Sequence, residues 1–117
     1  MEAEAFEALV QEAYQALPGW VHEAMANVQI VVADAADEAL DPRGDELLGL
    51  YDGAPLTDRP ANHVGELPDV IYVFRHAHLA LALPHEALRD EIRKTLMHEI
   101  AHLFGFDDDE LEERGWG

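Results

Sequence analysis

Residues 85–109 read HEALRDEIRKTLMHEIAHLFGFDDD, and this stretch decides how the rest of the chain is understood. Leu88, Ile92, Leu96, Ile100 and Leu103 recur at close to 3.6-residue spacing. That spacing predicts one amphipathic helix from about His85 to Phe104, with its apolar stripe against a core. Pro84 stands ahead of its first turn, and Gly105 stands where a helix-terminating glycine belongs.

His98 and His102 are four residues apart on that helix, so their imidazoles share a face about one turn apart. The face lies roughly opposite the apolar stripe, which predicts that both rings line a cleft. Two nitrogens so placed can reach one zinc ion. Glu99 follows His98 directly and can take a proton from metal-bound water, which is the logic of the His-Glu-x-x-His motif. Catalytic zinc takes three protein ligands and keeps one position for water. Gly105 lies three residues past His102, and Asp108 three past Gly105. A glycine can take a positive φ and reverse the chain, so Asp108 is the predicted third ligand, with Asp107 and Asp109 as neighbours that could replace it. With 7 His in 117 residues, a shuffled chain shows the five-residue motif roughly 5% of the time. Glycine and aspartate at fixed offsets lower that to about 0.03%.

The remaining segments predict a small α+β domain. Residues 2–17 have apolar residues at helical spacing (Phe6, Leu9, Val10, Ala13, Leu17), stopped by Pro18-Gly19. A further helical turn is expected over Trp20 to Met25. Val28 to Val32 reads as a buried strand. Residues 34–44 read as loop. Leu47 to Tyr51 is a second strand candidate, ended by Asp52-Gly53. Residues 55–68 look irregular, and Val70 to Phe74 is the clearest strand. Asp107 to Arg114 predicts a last short helix, its aspartates favourable near the N-terminus. No repeat, low-complexity tract or linker divides the chain, so one domain over 1–117 is expected.

Composition narrows the chemistry. The chain has no cysteine, so disulfides and thiolate metal sites are excluded. Its 25 acidic and 7 basic residues give a net charge of −18. Such a field repels phosphate backbones and attracts cations and basic peptides, which argues against nucleic acid as a partner. No secretory signal and no membrane-spanning apolar run is visible, so a cytoplasmic protein without membrane association is expected.

Arg93–Asp108 (RKTLMHEIAHLFGFDD) resembles the active-site helix of the minimal bacterial zincin-like metallopeptidases, the minizincins. Leu48–Arg59 (LGLYDGAPLTDR) and Leu67–Arg75 (LPDVIYVFR) resemble the segments that precede it. The resemblance implies a small zincin-like fold, a short β-sheet packed with the helix that carries the motif. It also implies Zn2+ on His98, His102 and Asp108, with Glu99 as catalytic base. A peptide or protein substrate would lie along an edge strand from the Leu48–Tyr51 or Val70–Phe74 region. The third ligand departs from the metzincins, where it is His, and no methionine follows Asp108. The leading function is therefore a zinc metalloendopeptidase. Two alternatives stand beside it. One is a metal-binding zincin scaffold that serves as a binding module. The other is an RNA-processing metallohydrolase, whose pattern lacks the glutamate and ends in His.

Four other residues are weighed. His76 and His78 could contact substrate or be solvent-facing loop histidines. Tyr72 could bond a tetrahedral intermediate or be half-buried packing. Arg75 is read as the partner of a nearby acid.

Overall fold

The computed structural model describes residues 1–44, 46–53 and 69–113, with the side chains of Asp108, Leu111 and Glu112 outside the description. In chain order the elements are helix α1 (Ala3–Gln15), helix α2 (Gly19–Ala24), strand β1 (Val28–Ala33), strand β2 (Gly49–Asp52), strand β3 (Asp69–Phe74), helix α3 (Arg75–Leu79), helix α4 (His85–Leu103) and helix α5 (Asp108–Glu113). The predicted irregular segment 55–68 lies outside the described residues. No described helix is long and apolar enough to cross a membrane.

The strands form one mixed sheet in the order β1-β3-β2. β1 runs parallel to β3, with Ile30 opposite Ile71 and Val32 opposite Val73. β2 runs antiparallel to β3 on the other side, with Gly49 opposite Val73 and Tyr51 opposite Ile71. Side chains alternate across a strand, so Ile30, Val32, Ile71, Val73 and Tyr51 share one face, and α1 and α4 pack on it.

The core is what that packing encloses. Phe6, Leu9, Val10 and Ala13 of α1 meet Ile71 and Val73 of the sheet and the α4 stripe of Leu88, Ile92, Leu96, Ile100 and Leu103, all buried. Each of the larger side chains contributes about 1.5–3 kcal/mol when fully buried. The exposed Arg89–Glu12 ion pair (2.8 Å) also joins α4 to α1, but a pair this open to solvent contributes little. Burial of the stripe therefore holds α4 in place.

Two readings of the sequence are corrected. β1 is not a buried strand: Val28 and Ile30 to Ala33 are half-buried and Gln29 is exposed. Among the described strands it is an edge strand, and its apolar run, interrupted at Gln29, reflects two moderately apolar faces. The residues after β3 are not a loop, because Arg75–Leu79 forms α3.

Candidate metal centre

α4 brings three of the predicted residues together. The ligating atoms of His98, Glu99 and His102 all lie within 4.8 Å of one another. The two imidazoles meet edge to face, their centroids 4.8 Å apart. Both histidines are half-buried, whereas Glu99 is only 7% exposed. Glu99 therefore does not lie on the open helix surface beside His98. It points from α4 towards β2, where its Oε1 accepts a hydrogen bond from the Tyr51 amide at 2.8 Å. A buried carboxylate needs such a donor, because leaving it unsatisfied costs more than the bond gains.

The antiparallel register explains why that amide is available. The Phe74 amide bonds the Leu48 carbonyl, so Leu48, Leu50 and Asp52 direct their backbone groups to β3. Gly49 and Tyr51 direct theirs to the opposite edge. Gly49 allows the close approach. A Cβ there would stand 2.6 Å from Thr95 Cγ2 and 2.9 Å from the Tyr72 carbonyl. At the far end of β2, the Tyr51 hydroxyl donates to buried Asp69 at 2.7 Å. This fixes the strand that holds Glu99. Among the described strands, the edge beside α4 thus belongs to β2, while β3 is central.

The C-terminus of α4 orients His102. Gly105 has φ 92°. Its amide bonds the His102 carbonyl (2.9 Å), and the Phe106 amide bonds the Ala101 carbonyl (3.1 Å). This pair of bonds is the Schellman motif. It brings the Phe106 carbonyl to His102, whose Nδ1–H donates to it at 2.9 Å. The lone pair of His102 is thereby assigned to Nε2, as in metal-ligating histidines.

The acidic run then divides. Asp107 caps α5, its Oδ1 accepting from the Glu110 amide at 2.8 Å. The Asp107 carboxylate is thus engaged, and neither it nor exposed Asp109 joins the three-residue cluster among the described residues. The backbone of Asp108 opens α5, but its side chain lies outside the described residues.

Two imidazoles one turn apart form a nitrogen donor pair that suits zinc and related divalent metals, with the Glu99 carboxylate beside them. The hydrogen bond on His102 Nδ1 is the outer support such a site requires. The residues present therefore fit a metal.

The model of one family, described as zincin-like metallopeptidase, matches residues 25–116. The chain belongs to this zincin-like metallopeptidase family. It also matches the fold of a conserved hypothetical protein from Thermo thermophilus, with a TM-score of 0.59 and 21% identity over 97% of this chain and 99% of that one. No curated protein matches it. In this zincin-like chain the α+β fold and the helix that carries the motif agree with what the resemblance implied.

The other weighed residues find different places. His78 is fully buried in α3 and is not a loop histidine. Its Nδ1 hydrogen-bonds the Phe74 carbonyl (2.8 Å), and its Nε2 hydrogen-bonds the Thr95 hydroxyl (3.0 Å). Burial holds its pKa below the ordinary imidazole value. Tyr72 stacks on Phe74, on the sheet face away from α4. Arg75 pairs with Asp34 at 2.9 Å, as expected, and this hydrogen bond holds the Asp34 carboxyl below its usual value. The Tyr51 amide, Gly49, Thr95 and the Phe106 carbonyl are not singled out by the sequence alone. Only Gly49 leaves a signal there, as a glycine inside an apolar run.

Proposed function

We propose that this zincin-like chain is a zinc-dependent endopeptidase. His98, His102 and Asp108 are the residues assigned to hold the metal, and Glu99 is the general base. The convergence of His98, Glu99 and His102, with Glu99 held by the β2 edge, carries the reading. Asp108 is assigned from its spacing after Gly105, and the cap made by Asp107 leaves that neighbour engaged elsewhere. Zinc bound there would supply Lewis acidity and lower the pKa of a coordinated water towards neutrality.

The protein's own groups do the rest. The edge of β2 aligns an extended peptide backbone beside α4. Glu99 accepts the proton of the attacking water as the new C–O bond forms. It returns that proton to the amine as the C–N bond breaks. The Tyr51 amide keeps the carboxylate aimed. Glu99→Gln should retain the metal and lower cleavage of a broad peptide mixture by at least about 100-fold, read by mass spectrometry. Wild-type turnover persisting in that variant would remove Glu99 from the role.

A second reading is a metal-binding scaffold without turnover. It is favoured by the burial of Glu99 and its bond to Tyr51, which a purely structural carboxylate would also make. No cleavage by the metal-loaded wild type across the same mixture would support it.

A further inference from the structure

A cavity of about 650 Å3 lies against the candidate centre. Its walls include Leu47, Leu48 and Met97, and Arg93 and Lys94 stand on it with His98 and Glu99. We infer that this cavity is a subsite for a peptide carboxylate. The inference rests on the peptidase reading and names the class of substrate it selects.

Charge is the first argument. The whole chain carries 7 basic residues against 25 acidic ones. The cavity wall carries two cations, Arg93 and Lys94, against two carboxylates, Glu91 and Glu99. One of those carboxylates, Glu99, already accepts from the Tyr51 amide. Arg75 and Arg89 are engaged by Asp34 and Glu12. Among the described residues, Arg93 and Lys94 have no ion-pair partner and both are exposed. On so acidic a surface, a cation pair without ion-pair partners among the described residues lowers the repulsion an anionic group meets.

Geometry is the second. Lys94 precedes His98 by four residues, so it lies on the same stripe of α4, roughly one turn or 5–6 Å away. Arg93 precedes Met97 by the same interval. A substrate residue next to the scissile bond would lay its apolar stem on Leu47, Leu48 and Met97. Its carboxylate would then reach Arg93 and Lys94. The carboxylate has two possible sources, an acidic side chain within the peptide or the peptide's own C-terminus.

Calorimetric titration of Glu99→Gln protein tests this without cleavage. The probes are three alanine pentapeptides: one with a central glutamate and both ends blocked, one with a central glutamine and both ends blocked, and one with a central glutamine and a free C-terminus. At least one carboxylate peptide should bind about tenfold more tightly than the blocked glutamine peptide. A blocked-glutamate advantage assigns the side chain, and a free-terminus advantage assigns the terminus. The advantage should vanish in Arg93→Gln/Lys94→Gln. It should survive Arg89→Gln, which removes a charge from the same helix outside the cavity. Equal binding of the three peptides, no binding at millimolar concentration, or an advantage that persists in the double variant would each overturn the inference. Cleavage of the same peptides by the wild type is scored separately, so failure of the peptidase reading stays distinguishable from failure of the subsite.

Discussion

Glu99 shows what a single residue position demands. The spacing of His98, Glu99 and His102 is legible because helical geometry alone puts the two imidazoles on one face. The burial of Glu99 is not legible, since it depends on β2 crossing α4 at Gly49, far earlier in the chain. Gly49→Ala is expected to cost about 1–3 kcal/mol, because the added methyl meets Thr95 and the Tyr72 backbone and must push β2 off the helix. It should also lower turnover by loosening the Tyr51 bond to Glu99. Denaturant unfolding and a peptide assay check the two effects. His78 makes a second prediction at this scale. Its folded pKa lies below the unfolded value of 6.5. Below that pH the unfolded chain takes a proton that native His78 refuses, so stability is full above pH 6.5 and falls as pH drops towards the folded pKa. His78→Gln should flatten this acid limb in unfolding measured from about pH 7 to about pH 5. An unchanged slope would assign the limb to other groups.

At the scale of elements, α1, α4 and β3 are readable from periodicity, because each buries one well-defined face or, in β3, a β-branched run. β1 is not, because an edge strand with two apolar faces looks the same in sequence as a buried one. α3 escapes detection because so short a helix carries too little periodicity to register, and its formation depends on His78 bonding Phe74 and Thr95. The turn after α4 is legible in part. Gly105 is expected to reverse the chain, but nothing local signals that the Phe106 carbonyl holds His102 or that Asp107 caps α5. Asp107→Ala should cost about 1 kcal/mol through the lost cap while leaving metal affinity nearly intact. Gly105→Ala should cost a similar amount, because φ 92° strains any side chain. It should also weaken metal binding by about 10–100-fold, since the support of His102 moves. Thermal unfolding with metal titration separates them, and equal metal affinity in both variants would contradict the role given to the turn.

Over the whole molecule, composition indicates the chemistry before any fold is known. Absent cysteine leaves His, Asp and Glu as the metal donors, and the charge of −18 disfavours nucleic acid. The strand order β1-β3-β2 is not legible, because pairing between segments distant in sequence leaves no local mark. That order matters for function, since it makes β2, not β3, the edge beside α4. It also places Tyr51 where Glu99 needs a donor. The proposed function requires that His98 and His102 of α4 hold a metal beside Glu99. Elemental analysis of the purified wild type beside His98→Ala tests this most directly. The account predicts about one zinc per chain in the wild type and nearly none in the variant. Equal zinc in both, or none in either after zinc is supplied, would contradict it.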